Sequence, residues 1–576
     1  MKFFNPEMFL ALIINSFLLY FLFLEFKSIN FKPPVSLDRE KKSNNQHIIS
    51  LLLFALIILG FIIRVWKIGF DEFDSQEISY LFPFVKELSA FFGENTVSSL
   101  KQLVVHPINI FFSHQPLAPI LTFIISSIKS GIPHEVLFRI PSVIFGTATI
   151  YVIFLLGSKL FSKEIGLLAS LLITVNPYHV YYSRDLQPYS AVCFFSALSL
   201  LFFALIIFQN KYHLAWLYLI SITMGFFFHL AALLIPISHL IAVFVIWLKN
   251  KNSLFWKKNA LFFCMVTAGF IYVFILWSPV YIRSTLVDVR EFLTWNYFYF
   301  HSNIISTLAL PFMLFQVVAG ILPRQIILMI FIIVLFFCSL VIMKKKYFNY
   351  FVVILTTAGV IIAWFLYMDL YGFVHIRRFY RGYRWGISLL PIFSLVMAYS
   401  FALIKGAIGK IKKISISACL IIFSLSNLGV DYHIINKHRK PSYSQALVFV
   451  YKLADKGDIF VFPTIFDSEN FLYYLNKYPQ NYSHYLADAL KRSFDYRSLY
   501  VRDHKERSTP VFVQELRLHY NRIWVADARE KFFERKLLNH EYADYLLDYL
   551  AKHSKLVLVK RFEYINIYLF DLRKSF

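Results

Sequence analysis

Charge is scarce in this chain, and acidic charge scarcest. Its 576 residues hold 34 Asp and Glu against 58 Lys and Arg, and charged residues make up only 16% of the total. Soluble globular domains carry about a quarter charged residues. With 58% of residues hydrophobic, one soluble core cannot hide the apolar surface, so the excess must face lipid. Cysteine is also rare: Cys193, Cys264, Cys338 and Cys419 all lie in apolar stretches without a CxxC partner. They indicate neither a disulfide framework nor a cysteine zinc site, and the four read as core residues. The net charge of +24 does not gather into a stripe on a soluble domain, so nucleic acid is not an expected partner. The cations fall in short clusters between apolar runs, where a membrane protein carries its topology signal and meets lipid headgroups.

What is present is a series of long apolar runs. A spanning helix needs about 20 residues. Twelve candidates follow: 8–25 (read as a retained helix), 48–66, 137–157, 164–181, 190–209, 213–230, 231–248, 259–278, 325–343, 350–370, 385–404 and 414–430. The stretches 117–128 and 304–322 are shorter or broken by proline and read as surface or re-entrant helices. Lys-rich loops such as 26–47, 249–258, 344–346 and 405–413 then fall on the cytoplasmic side, which makes the loop 67–136 external.

The external segment YGFVHIRRFYRGYR (371–384) breaks this pattern with Arg377, Arg378, Arg381 and Arg384. Arginine forks match phosphate, so an anionic ligand at the membrane surface is one reason for them; lipid headgroups or external acids are the others. From about residue 431 polar residues become frequent. GDIFVFP (457–463), RIWVADA (522–528) and LVLVKRFEYINIYLFDL (556–572) read as strands, with helical patterns at 442–455 and 530–552 between them. The expected architecture is therefore a polytopic α-helical membrane protein of about 12 spans (1–430) with a C-terminal extracytoplasmic α/β domain (431–576).

Chemistry concentrates in the first external loop. RVWKIGFDEFDSQEISYLFPF (64–84) places Asp71, Glu72, Asp74 and Glu77 within seven residues. Paired carboxylates serve as a general base or hold a divalent cation. Asp74 and Glu77 have capping-box spacing, which gives them a structural reading and leaves Asp71 and Glu72 freer. His106 and His114 read as metal ligands, phosphate contacts or satisfied structural groups. If a metal ion is used, Asp71, Glu72 and His114 are its candidate ligands. In NPYHVYYSRDLQPY (176–189), Arg184 and Asp185 sit among tyrosines, as a surface ion pair or as contacts to a polar substrate group.

The order of the DE dyad, then HQPL, then FRIPSVIFGTATIYVIFLLGSKLFSKEIGLLASLLITVNPYHVYYSRDLQPYSAV resembles the C superfamily of membrane glycosyltransferases. It is similar to bacterial protein O-mannosyltransferase-like enzymes and to the aminoarabinose transferase of lipid A. Residues 60–200 carry the resemblance, which returns at 377–400 and in the C-terminal domain. It implies a multi-pass enzyme of the cytoplasmic (inner) membrane. Such an enzyme moves a hexosyl or pentosyl group from a polyprenyl-phosphate donor to a lipid, glycan or protein acceptor outside.

Carried over, Asp71 is the acceptor base with Glu72 beside it. Arg378, Arg381 or Arg384 meets the donor phosphate, and Arg184, Asp185 and Tyr189, with His114, contact substrate. A second alignment puts Gln76–Glu77 at the dyad and makes Asp74 or Glu77 the functional acid. His114–Gln115 stands where the aminoarabinose transferase has an acid and a lysine, so that sugar specificity is not carried over. Direct displacement would invert the anomeric carbon. Rival readings are a transporter or flippase for lipid-linked sugars, which calls for mid-membrane polar residues and repeats, and a non-catalytic scaffold.

Overall fold

The computed structural model describes residues 44–73, 77, 117–126, 132–250, 311, 314, 315, 317–319, 326–370, 381–407, 410–437, 442–455, 458–462, 471, 474, 494–495, 505–528, 538–562 and 565–573. The chain forms two compact units. One comprises residues 1–66, 104–121 and 139–435, the other 67–103, 122–138 and 436–576.

The first unit is helical. Its elements are α1 (Asn44–Val65), α2 (Leu117–Ser126, which continues into the second unit), α4 (Ile140–Leu160), α5 (Lys163–Thr174), α6 (Pro177–Ser183), α7 (Tyr189–Gln209), α8 (Ala215–Phe228), α9 (Leu234–Asn250), α10 (Ile326–Lys346), α11 (Phe348–Leu370), α12 (Leu390–Ala407) and α13 (Lys410–Lys437). The four-residue α3 (His134–Leu137) belongs to the second unit, and a 3₁₀ segment, Arg381–Leu389, leads into α12. Among the described residues, five helical stretches are long and apolar enough to cross a membrane: Gln46–Val65, His134–Leu160, Tyr189–Gln209, Ala231–Lys249 and Gly386–Leu403. Leu51, Phe54 and Phe61 on α1 stand exposed, as lipid-facing side chains do. The span expected at 259–278 and the one at 8–25 lie outside the described residues.

Two expectations change. The run 164–181 is not one helix: α5 ends at Thr174, and Asn176 caps a new helix whose first residue is Pro177. Proline suits a first helical position because its missing N–H would have no partner there. Cys338 is exposed on α10 beside exposed Phe337 and Val341, so it is no core residue, whereas Cys193 is buried. Apolar sequence in a membrane helix does not separate lipid-facing from buried positions, since both are apolar.

The core of this unit joins α4, α5, α7, α8 and α12 through residues such as Ile153, Ile173, Phe202, Leu217 and Val396. At the α4–α5 turn the helices touch at glycine. A Cβ on Gly157 would stand 2.6 Å from Gly166 Cα, so no larger residue fits that approach.

The second unit contains a five-stranded sheet of order β2-β1-β3-β5-β4, formed by β1 (Asp458–Phe462), β2 (Phe494–Asp495), β3 (Arg522–Ala528), β4 (Lys555–Phe562) and β5 (Ile565–Asp571). β1 pairs with β2 and β3 in parallel, and β5 runs antiparallel to β3 and β4. The helices α14 (Tyr443–Leu453), α15 (Lys505–His519) and α16 (Leu538–His553) accompany it. Ile459, Val461, Ile523, Val525 and Phe570 bury one sheet face against Val513, Leu516, Leu546 and Leu550. The polar break expected inside 556–572 is the β4–β5 connection.

Candidate functional site

In the helical unit the polar side chains gather where α1 ends. Arg64 is fully buried, in the last turn of α1 beside its final residue. Its Nη2 lies 2.7 Å from His179 Nδ1, and its guanidinium also reaches the carbonyls of Gly60 (2.8 Å), Thr174 (3.4 Å) and Ile173 (3.4 Å). The guanidinium stays protonated, so it is the donor, Nδ1 the acceptor, and the imidazole proton sits on Nε2. Arg64 thus satisfies the last carbonyls of α5 and holds α6 at the same time.

The phrase NPYH explains α6. Asn176 Oδ1 accepts from His179 N (3.0 Å), and its Nδ2 donates to Val318 O (2.9 Å). Ser183 Oγ donates to His179 O (2.6 Å). Arg184 follows, its Nη1 reaching the carbonyls of Ile63 (3.0 Å), Arg64 (2.9 Å) and Trp66 (2.6 Å). A cation at the C-terminal carbonyls of α1 is a helix cap. Asp185 is buried, so the 184–185 pair is not a surface ion pair.

α6 turns a tyrosine cluster inward. Tyr178 and Tyr182 are buried with ring centroids 5.2 Å apart, and Tyr182 meets Tyr189 at 5.0 Å. Tyr189 also approaches His229 at 5.2 Å. Over its ring stands the Arg384 guanidinium, 5.9 Å from the centroid. Tyr189 and Arg384 were expected from sequence and are brought together. Arg64, His179, Tyr178 and Tyr182 were not singled out. The signal available was a lone arginine closing an apolar span, and an Asn-Pro helix start carrying a histidine.

The second unit holds the acidic segment. Glu72 accepts from Ser444 N (3.1 Å) and from Ser444 Oγ. It thereby caps α14, whose own Ser442 makes no side-chain cap. Burial pushes the Glu72 carboxyl above its usual range, against the lowering effect of the Ser444 hydrogen bonds. Phe73 N donates to Tyr474 Oη (2.6 Å), which in turn donates to Glu135 Oε1 (3.4 Å). Asp71 is half-buried at a bend, and Glu77 is buried. Both Glu72 oxygens are engaged by Ser444, a poor start for a metal ligand; among the described residues no group of three or more His, Cys, Asp or Glu could hold a metal ion. Asp74, His114, Arg378 and the Arg381 side chain lie outside the described residues.

Residues 113–280, which include α2 to α9, match the family of dolichyl-phosphate-mannose-protein mannosyltransferases. Solved structures extend the likeness over 90–92% of the chain. ArnT from Cupriavidus metallidurans in the apo state shares 10% identity at a TM-score of 0.50, over 92% of this chain and 98% of that one. The family match and this fold support the resemblance to the C-superfamily membrane glycosyltransferases. The Archaeoglobus fulgidus oligosaccharyltransferase is similar too, with 11% identity and a TM-score of 0.51 in the form tethered to an acceptor peptide containing the NVT sequon, over 92% of this chain and 74% of that one. Its apo form gives 10% identity and a TM-score of 0.51. No curated protein matches the sequence. The segment matched by the family contains Arg184, Asp185 and Tyr189; Asp71, Glu72 and Arg384 lie outside it.

Proposed function

We propose that the protein is a glycosyltransferase that moves a sugar from a polyprenyl-phosphate donor to an acceptor at the external face of the cytoplasmic membrane. The observation that carries this reading is the match of residues 113–280 to the dolichyl-phosphate-mannose-protein mannosyltransferases. The fold likeness and the arginine over the tyrosine cluster support it. A polyprenyl donor keeps its phosphate at the lipid surface, where Arg384 offers a cation backed by Tyr189. That cation would bind the phosphate and stabilise charge on it as the glycosidic bond breaks. A carboxylate takes the acceptor proton. Asp71 is the first choice, because Glu72 is engaged in capping α14; Asp74 is the second. Displacement in a single step inverts the anomeric carbon. The helical region through α13 is the transferase domain with about 12 spans, and the sheet-bearing region that follows α13 is an extracytoplasmic domain that helps select a lipid, glycan or protein acceptor.

The test is transfer from radiolabelled polyprenyl-phosphate sugar by membranes carrying Asp71→Asn, Asp74→Asn or Arg384→Ala. Loss in Arg384→Ala and in at least one acid variant is expected. Wild-type transfer by all three would refute the assignment, and retained configuration in the product would refute single-step inversion.

A further inference from the structure

The helix α13 carries a buried polar stripe that nothing above uses. Ser424, Asn427 and Asp431 follow one another at spacings of three and four, which places them on one face over about 10 Å of helix. They are 9%, 1% and 2% exposed. Among the described residues no hydrogen bond reaches Ser424 Oγ, Asn427 Nδ2 or either Asp431 oxygen. Asp431 lies within electrostatic reach of Arg64 and Arg184. Two further buried atoms close to that end, Arg64 Nε and His179 Nε2, are likewise unbonded.

A buried carboxylate without hydrogen bonds is expensive, and a well-packed hydrophobe in its place is often the more stable choice. Such groups in native proteins call for an occupant. The donors and acceptors define it. Asp431 needs donors; Arg64 Nε–H, His179 Nε2–H and the Asn427 amide need acceptors. A bare cation would leave the N–H groups unmet and face Arg64 and Arg184. An anion would face the carboxylate. A hydroxyl both donates and accepts.

We propose that Asp431, with Asn427 and Arg64, forms an internal site that binds hydroxyl groups, supplied by ordered water or by a sugar. The sugar source rests on the transferase reading; the water source does not. Ser424 extends the same polar face one turn further along α13. Gly146 fits the arrangement: a Cβ there would come within 3.1 Å of Arg64 Nε, so the bare glycine leaves that N–H room.

The experiment uses the full chain in lipid nanodiscs. Hydroxyl-radical footprinting labels side chains beside bound water, and in the segment 427–435 the buried side chains, Val430 foremost, should be labelled in the wild type despite their burial, with exposed Tyr432 read separately. Labelling should fall at least fivefold in Asp431→Leu. In parallel, Asp431→Asn is assayed with polyprenyl-phosphate mannose. A sugar occupant raises KM by about tenfold and leaves inhibition by sugar-free polyprenyl phosphate unchanged. Labelling with unaltered KM identifies water as the occupant, and a raised KM identifies sugar. An unlabelled wild-type segment together with wild-type KM in Asp431→Asn overturns the proposal. The labelling needs no turnover, so it stands or falls apart from the transferase reading.

Discussion

Arg64 Nη2 and His179 Nδ1, 115 residues apart in sequence, meet at 2.7 Å inside the helical unit. The same guanidinium takes the carbonyls of Ile173 and Thr174, where α5 has run out of its own donors. One side chain therefore closes α5 and fixes the start of α6. A lysine keeps the charge but presents one nitrogen and no planar fork, so it cannot hold all three partners. Arg64→Lys should lower stability by about 2–4 kcal/mol, because buried acceptors lose their donors. Thermal unfolding in nanodiscs followed by tryptophan fluorescence measures this. An unchanged midpoint would remove Arg64 from its role as a junction.

Gly146 faces the same junction from α4. A Cβ there would drive into the Ser183 side chain, whose hydroxyl is held by His179 O. Gly146→Ala should push α6 away from α4 and destabilise by about 1–3 kcal/mol, the usual cost of overpacking. Gly359→Ala is the control, since nothing stands within 4 Å of a Cβ added there. Equal melting of the two variants would count against a tight α4–α6 contact.

Glu72 yields a pH dependence of unusual sign. Its carboxyl is raised above the usual value in the folded chain, chiefly by burial. Between the unfolded value and that raised value the native state binds more protons than the unfolded state. Stability from this group therefore falls as pH rises through that window and stays reduced above it. Glu72→Gln, which keeps an acceptor for Ser444, should lose this dependence and gain on the wild type as pH rises. Glu72→Ala should cost about 1 kcal/mol through loss of the α14 cap. Unfolding midpoints from pH 4 to 8 separate the variants; parallel wild-type and Gln curves would contradict the buried carboxyl.

The membrane helices and the C-terminal strands were legible because apolar length and alternation are local signals. The strands 458–462, 522–528, 555–562 and 565–571 fall where β-rich runs lie between turn residues. The site was less legible. Asp71, Glu72, Asp74 and Glu77 look alike in a seven-residue cluster, and only Ser444, over 370 positions away, reveals that Glu72 is a cap. Arg184 looked like half of a surface ion pair, and the backbone carbonyls of α1 that it reaches carry no sequence signature. Asp431 was read as the first residue of the soluble region, since an apolar window averages away a polar stripe. The tyrosines at 178, 182 and 189 stand in the sequence as neighbours of Arg184 and Asp185, whereas in the fold they are buried as a packed cluster.

Asp458 anchors the sheet of the second unit. It accepts from Arg522 Nε (2.6 Å) and Nη2 (2.7 Å), from Trp524 Nε1 (2.7 Å) and from Asp455 N (2.9 Å). The paired carboxylate raises the affinity of the Arg522 guanidinium for its proton. Asp458→Ala leaves the buried Trp524 N–H without its acceptor and should cost about 2–4 kcal/mol. Asp458→Asn should cost less, as it keeps one oxygen. Because the lesion lies in the second unit, limited proteolysis should cut first within 458–528. Cleavage at wild-type rates would show that the network adds little.

Arg384 makes the sharpest functional prediction. It stands over Tyr189 in the helical unit, where the ring face supports its cation. Arg384→Ala should weaken polyprenyl-phosphate binding by about tenfold or more, the loss expected for one charge-assisted hydrogen bond. Arg384→Lys should recover part of it, since charge remains and bidentate geometry is lost. Tyr189→Phe should bind nearly as the wild type, because the ring face survives; Tyr189→Leu should not. Binding of a fluorescent polyprenyl phosphate to nanodisc protein reads all four. A tyrosine that mattered only through its hydroxyl would leave the last two equally weak, and an Arg384→Ala variant with unaltered affinity would move the phosphate site elsewhere in the fold.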